Sequence, residues 1–305
     1  MKILADDLWF PEGPVWLPDG SIVLVEIRRG TLTRVWPDGR KTIVANLGGG
    51  PNGAALGPDG DIYVCNNGGF KWVERDGRHH LAGSPENYVT GRIERVNLET
   101  GKFDVLYESV GGNRLRGPND IVFDAHGGFW FTDLGKTRDR DMDLGRVCYA
   151  KPDGSMVREV LFPIWKPNGV GLSPDGKTLY VAETETGRLW AWDIVAPGEI
   201  IAATDVPVPA PHGGRLIYSP SNYARFDSLA VEANGFICVA TLGPGGISIC
   251  APDGSGAEFV ATGDAYTTNI CFGGAGLKTA YLTLSNSGRL AEMDWPRPGL
   301  KLNCY

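Results

Sequence analysis

The stretch PNGVGLSPDGKTLYVAE, residues 167–183, carries the pattern that decides the fold prediction. A polar residue near its start is followed by an alternating apolar run, a Gly-containing turn and a second apolar run. Apolar and polar residues that alternate on both sides of such a turn are typical of a β-hairpin. The stretch therefore predicts two antiparallel strands joined at PDG.

Five further copies of this pattern occur along the chain. They begin at Pro11, Pro51, Pro118, Phe226 and Thr268. After each of the six copies comes a second hairpin that opens with glycine, at Gly30, Gly91, Gly145, Gly187, Gly246 and Gly288. Six such units predict an all-β fold, a six-bladed β-propeller with four antiparallel strands per blade.

A solenoid or a small barrel is the alternative for a repeat of this kind. Solenoid repeats of this length usually contain helices, and a small barrel does not need so many strands. We therefore predict one propeller domain over residues 1–305, in which the segment 2–5 joins the last blade and closes the ring.

Composition narrows the classes of partner and the compartment. The 43 Gly and 21 Pro indicate frequent turns, and a net charge of −7 without a Lys/Arg cluster argues against nucleic acid or an anionic membrane. No signal peptide or membrane helix is evident, so we expect a cytoplasmic protein. The six cysteines form no CxxC pair, which favours buried free thiols. Nothing in the sequence indicates the oligomeric state.

A ring of oxygen-bearing side chains stands at the head of the predicted innermost strands. The six residues are Glu12, Asn52, Asn119, Asn168, Asp227 and Asn269. Innermost strands surround the axis of a propeller, so equivalent positions converge there. Converging oxygens suit Ca²⁺, Mg²⁺ or Mn²⁺, and could also hold Zn²⁺ or Fe²⁺. The alternative is that Asn and Asp merely favour the turn that enters a strand, although two facing carboxylates without a cation would be costly.

The long connections are all expected at the same end of the propeller as this ring. They span residues 67–90, 109–117, 134–144 and 204–225. Long loops that gather over a polar ring would wall a binding pocket. The 67–90 insertion adds Phe70, Trp72, His79, His80 and Tyr88, which could narrow the entrance or could simply pack within the loop.

Several motifs together resemble one known family over nearly the whole chain. They are PEGPVW from Pro11, PNDIVFD and GGFWFTD in the third repeat, PNGVGLSPDG from Pro167, FDSLAVEANG from Phe226 and TTNICFGG from Thr267. The family is that of gluconolactonase, regucalcin and the luciferin-regenerating enzyme. The resemblance implies one divalent metal ion held by Glu12, Asn168 and Asp227, and hydrolysis of a small lactone.

The resemblance also implies roles for individual residues. The metal would polarise the ester carbonyl, Asp227 would be the general base or only a ligand, and Asn119 would act beside them. The resemblance implies Asn119 and Asp120 at the substrate site. From their positions in the sequence, we add Asn52, Arg116 and Trp72 as expected substrate-binding residues. The animal lactonase has an arginine where this chain has Gly117, with Arg116 one place earlier. We therefore expect either an aldonolactone such as gluconolactone or a less polar lactone as substrate.

Other classes of function remain open from the residues alone. The chain has no GxSxG or HExxH motif. A histidine-based lactonase mechanism would depend on the few histidines, two of which, His79 and His80, share one loop. A propeller that only binds calcium or a ligand, without catalysis, is the alternative from a different class.

Overall fold

The computed structural model describes residues 1–75, 78–204 and 210–304, and its regular structure is almost entirely β. Six antiparallel sheets follow one another around a ring, and each innermost strand contacts the innermost strands of the blades on either side. The predicted six-bladed β-propeller is confirmed. In the part of the chain that the structure describes, no helix is long and apolar enough to span a bilayer. The single-domain organisation and the cytoplasmic location stay predictions.

Each blade has four strands, taken here from the axis outward. The innermost strands are Pro11–Trp16, Pro51–Leu56, Pro118–Phe123, Pro167–Leu172, Arg225–Val231 and Thr267–Gly273. The second strands are Ile22–Glu26, Ile62–Asn66, Phe129–Asp133, Thr178–Glu183, Ile237–Leu242 and Thr279–Leu284. The third strands are Thr31–Val35, Arg92–Val96, Gly145–Ala150, Arg188–Ala196, Gly246–Cys250 and Arg289–Asp294. The outermost strands are Lys41–Asn46, Phe103–Tyr107, Val157–Ile164, Glu199–Ile201, Ala257–Ala261 and Lys2–Ala5.

The ring is closed by pairing the two ends of the chain. Lys2–Ala5 runs antiparallel to Arg289–Asp294, so the sixth blade takes its outermost strand from the N-terminal segment. This confirms the predicted closure. Radial closure of this kind leaves only short strand edges exposed.

Irregular elements lie mainly in the long connections. The 67–90 insertion forms the hairpin Trp72–Arg75 with Arg78–Leu81, and a second small hairpin joins Ser109–Val110 to Asn113–Arg114. Beyond Glu199–Ile201, the additional strand Arg215–Tyr218 pairs with the other half of the third strand in blade four. Ala275–Leu277 forms a single 3-10 turn.

Apolar side chains from neighbouring blades pack together between the sheets. Tyr63 of blade two packs edge-on against Phe123 of blade three, with ring centroids 5.0 Å apart. Burying one such side chain contributes roughly 1.5–3 kcal/mol. All six cysteines are free and only Cys304 is partly exposed, which confirms the prediction of unpaired and largely buried thiols.

Candidate active site

The pairing of every innermost strand is irregular close to its polar head residue. In blade one the register shifts between Glu12 and Val15, and in blade five between Phe226 and Leu229. Equivalent shifts occur in the other four blades. Bulges re-aim the side chains beside them, so the repeat that forms the hairpin also sets the direction of its head residue.

Glycines follow three of the head residues, at Gly13, Gly53 and Gly169, and let neighbouring innermost strands approach closely. A Cβ atom on Gly53 would lie 2.3 Å from the carbonyl oxygen of Asn119. A Cβ atom on Gly169 would lie 2.7 Å from the carbonyl oxygen of Asp227. Because real Cβ atoms do not come this close, the Asn-Gly pairs of the repeat are required by the narrow axis.

Five of the six head residues line one cavity of about 300 Å³, which we call the upper cavity. They are Glu12, Asn52, Asn119, Asn168 and Asp227. Their exposed fractions are all 9% or less. The sixth, Asn269, supports Glu12: its amide Nδ2 donates to Glu12 Oε2 at 2.8 Å, and its Oδ1 accepts from the N–H of Ile270 at 2.8 Å.

The two carboxylates of the upper cavity have raised pKa values. Burial raises the pKa of Glu12 to about 7, although hydrogen bonds from Asn269 and the Gly13 N–H act in the opposite direction. Burial first, and then the charge of Glu12, raise the pKa of Asp227 well above its ordinary value. Two buried carboxylates that repel each other in this way are stabilised by a nearby cation.

The carboxamides supply further oxygen ligands. Asn168 donates through Nδ2 to Thr184 Oγ1 at 3.0 Å, and its Oδ1 accepts from the Ser228 hydroxyl at 3.4 Å. Asn119 Oδ1 is buried and accepts no hydrogen bond from the described residues. A buried oxygen without a donor is costly, so this atom is suited to contact a cation or a bound molecule.

These donors fit a hard divalent cation. The hydrogen bonds that Asn269 and the Gly13 N–H donate to Glu12 both end at Oε2. Within the described ranges no cluster of three or more His, Cys, Asp or Glu residues could hold a metal ion. The candidate centre instead combines two carboxylates with neutral amide oxygens, a mixture that is typical of calcium and magnesium sites.

The structure does not bring all the predicted substrate-binding residues to the upper cavity. Asn52 and Asn119 line it, whereas Asp120 lies on the other side of the ring, where its carboxylate accepts from the N–H groups of Ile121 and Val170 at 3.0 and 3.2 Å. Arg116 is exposed and absent from the lining. Trp72 packs behind the lining residue Phe10, with ring centroids 5.3 Å apart.

The long connections contribute unequally to the walls. From the 67–90 insertion, Phe70, Leu81, Gly83 and Ser84 line the upper cavity, whereas His79 and His80 do not. Tyr88 ties the insertion to the next blade, since its hydroxyl donates to the carbonyl of Arg116 at 2.6 Å. The 134–144 connection supplies residues 134–137. Of the residues that the structure describes, the 204–225 connection supplies Arg225 alone and the 109–117 connection supplies none.

Two buried lysines of the upper cavity were not anticipated from the sequence. Lys136 is 3% exposed, donates to the Gly69 carbonyl at 2.7 Å and lies over the Phe70 ring, 4.6 Å from its centroid. Lys166 is 2% exposed, and its Nζ has no hydrogen-bond partner in the described part of the chain. Burial lowers the pKa of both amines, that of Lys136 to about 7. The only sequence signal was the position of Lys166 directly before a Pro-Asn head motif.

A larger cavity of about 620 Å³, the lower cavity, opens at the opposite end of the channel. Its lining includes Asp120, the apolar Ile121, Val170 and Leu229, and the C-terminal residues 300–303. Burial, and then the charge of Glu12, raise the pKa of Asp120 to about 7. Because the head carboxylates Glu12 and Asp227 converge on the smaller cavity, it is the candidate active site despite its size.

The fold and the site together define a six-bladed propeller with an oxygen-lined axial centre. The chain matches the family described as SMP-30/Gluconolactonase/LRE-like region over residues 10–286, and it belongs to this family. It is 26% identical to a gluconolactonase of Zymomonas mobilis, over 94% of this chain and 79% of that protein. It is 28% identical to a lactonase of Staphylococcus saprophyticus, over 80% of this chain and 67% of that protein.

Solved structures show the same fold at lower identity. A gluconolactonase from Xanthomonas campestris superposes with a TM-score of 0.73 at 21% identity, covering 96% of this chain and 89% of the other. A protein described as the calcium-binding regucalcin of Agrobacterium tumefaciens superposes with a TM-score of 0.73 at 19% identity, covering 99% and 97%. These likenesses show that the chain shares its overall fold with these proteins.

Proposed function

We propose that this protein is a lactonase that uses one divalent metal ion in the upper cavity. Family membership and the lactonases among its relatives support lactone hydrolysis as the class of reaction. One structural observation carries the finer proposal. Glu12, Asn168 and Asp227 converge on one cavity in which the Asn119 oxygen has no donor among the residues described.

The residues that would hold the ion are Glu12, Asn168 and Asp227. When bound, a divalent cation supplies a Lewis acid that polarises the ester carbonyl. Asn269 and the Gly13 N–H hold the Glu12 carboxylate in place, and Thr184 orients the Asn168 amide. Such supporting hydrogen bonds keep ligand atoms in position before a ligand arrives.

Asp227 is the proposed general base. The oxygen of a water molecule attacks the carbonyl carbon while a proton of that water passes to the Asp227 carboxylate. The bond from the carbonyl carbon to the ring oxygen then breaks, and the proton is delivered to the departing oxygen to give an open hydroxy acid. Asn119, which lines the same cavity, would hydrogen-bond the substrate beside this centre.

The walls of the upper cavity limit the substrate to a small molecule. Phe10 and Tyr266 form one side, with ring centroids 6.1 Å apart, and Ile27 and Leu242 add apolar surface. Flat apolar walls of this kind accept the face of a small ring. The proposed partner is therefore a small lactone, of the aldonolactone type or less polar.

The proposal is tested with a panel of lactones after the metal is removed and then restored. We expect hydrolysis to disappear with a chelator and to return with one of Ca²⁺, Mg²⁺, Mn²⁺, Zn²⁺ or Fe²⁺. Full activity in protein shown to be metal-free would overturn the metal dependence. Stoichiometric binding of metal without hydrolysis of any lactone would favour the non-catalytic alternative.

A further inference from the structure

The basic residues of the upper cavity lack the carboxylate partners that other buried basic residues have. Arg146 lies 3.1 Å from Asp133 and 3.1 Å from Glu159, and the half-buried Arg92 pairs with Glu94 at 2.5 Å. Among the described residues, neither Lys136 nor Lys166 has a carboxylate within 4.0 Å.

Lys166 combines two unfavourable features. Its Nζ is buried without a hydrogen-bond partner among the described residues, and its backbone φ of 45° lies in the left-handed region that non-glycine residues rarely adopt. Costs of this kind concentrate at functional sites. Glu185 also lines the cavity, and its charge acts on Lys166, but its carboxylate is not within 4.0 Å of the Lys166 amine.

The charges of the residues that line the upper cavity indicate the sign of the charge on a ligand that would bind these lysines. Among the described lining residues, three acidic ones, Glu12, Asp227 and Glu185, stand against three basic ones, Lys136, Lys166 and Arg225. Because Glu12 and Asp227 are the proposed ligands of a divalent cation, the loaded cavity would carry a net positive charge. Such a cavity attracts anions.

We propose that the upper cavity binds a lactone that carries a carboxylate, with Lys166 as its main partner and Lys136 beside it. This inference rests on the proposed lactonase function and adds the substrate class. A carboxylate is the smallest common anionic group that a sugar-sized lactone bears, and it suits a cavity of about 300 Å³. The ammonium group of Lys166 can form with it the charge-assisted hydrogen bond that no described residue provides.

The test compares two lactones of the same ring size, D-glucono-γ-lactone and D-glucaro-γ-lactone, which differ in having a hydroxymethyl or a carboxylate group at one end. With metal-loaded protein we expect the carboxylated lactone to have the higher kcat/KM, by about tenfold or more. Lys166→Gln should lower this ratio by about tenfold to a hundredfold, mainly through KM. Lys166→Arg keeps the charge and should retain most of the preference.

Two further variants separate a local effect from loss of charge in general. Lys136→Gln should lower the ratio less than Lys166→Gln, because its amine already donates to Gly69 and Asn67. Lys177→Gln removes the same charge from an exposed position at the lower cavity and should leave the ratio unchanged. If Lys166→Gln fails to fold, two other measurements test the anion site. The first is the ratio of kcat/KM values in Lys136→Gln, and the second is the preference of wild type at high salt, which should be lost.

The outcomes distinguish this inference from the proposed function. If both lactones are hydrolysed equally well, or if Lys166→Gln leaves the ratio of their kcat/KM values unchanged, the proposed anion site is wrong. The proposed lactonase function is not affected by that result. If neither lactone is hydrolysed, calorimetry with the open acids measures binding without turnover. Tighter binding of glucarate than gluconate that is lost in Lys166→Gln would support the anion site, and equal binding would overturn it.

Discussion

The two ends of the central channel share five of the innermost strands but differ in chemistry. The upper cavity, of about 300 Å³, is lined by the strand heads with their carboxylate and amide oxygens. The lower cavity is about twice as large and is lined further along the same strands by apolar residues such as Val170, Leu229 and Ile270. Converging polar groups, not volume, therefore identify the candidate site.

The difference follows from the position of each residue along the repeat. The polar head residue comes first, and the apolar residues that follow lie deeper in the channel. The lower end is also partly covered by the C-terminal segment, where the Leu300 N–H donates to the carbonyl of Val231 at 2.8 Å. We therefore expect substitutions at the upper end to affect catalysis and those at the lower end to leave it nearly intact.

The largest effect is expected for Glu12→Gln at the upper end. The change keeps the size of the side chain but removes a charged ligand, so we expect kcat/KM for a good lactone to fall by about a thousandfold, which corresponds to several kcal/mol of metal assistance. Kinetics and elemental analysis of the purified variant check this. Turnover within tenfold of wild type would remove Glu12 from the metal centre.

Asp227→Asn should separate proton transfer from ligation. At saturating metal, we expect kcat to fall by about a hundredfold or more, because an amide cannot accept the proton. The metal-free variant should be at least as stable to heat as wild type, since the repulsion from Glu12 is gone. Near-normal turnover would leave Asp227 as a ligand at most.

Shortening the 67–90 insertion should change substrate choice rather than metal binding. The insertion supplies Phe70, Leu81, Gly83 and Ser84 to the wall but none of the proposed ligands. We expect the ranking among lactones to change while metal affinity stays within about threefold. Phe70→Ala is the milder companion variant. A proportional loss for all lactones, or a collapse of metal binding, would make the insertion purely structural.

The smallest effect is expected at the lower end. Lys301→Gln removes an exposed charge from the lower cavity, and kcat/KM should stay within about twofold, as for most surface substitutions. Steady-state kinetics with the same lactone checks this. A tenfold loss would mean that the lower cavity takes part in the reaction.

The architecture could be predicted because the same pattern of strands and turns occurs six times in the sequence. Each copy gives two hairpins, and the leftover segment Lys2–Ala5 has the place and length of a missing outer strand. The head residues followed from the same alignment of copies. Asn269 shows the limit of aligning the copies. It occupies the equivalent position in the repeat, yet its side chain lies against Glu12 and does not line the upper cavity.

The other site residues depend on packing that the repeat does not encode. Asp120 directly follows Asn119, yet the irregular register of that strand places the two in different cavities. Lys136 and Lys166 lie in connections between strands, where lysine is normally solvated, so nothing in the pattern around them indicates burial. Trp72 is of a residue type that often lines a binding pocket, but it packs one layer behind the wall of the upper cavity, against Phe10.

The axial metal centre is best tested by calorimetric titration of metal-free protein with the divalent ion that restores hydrolysis. We predict one ion bound per chain in wild type, and no measurable binding when Glu12→Gln and Asp227→Asn are combined in a variant that remains folded. Undiminished binding of one ion in that double variant would contradict the proposal, because the ion would then lie elsewhere than at the convergence of the strand heads.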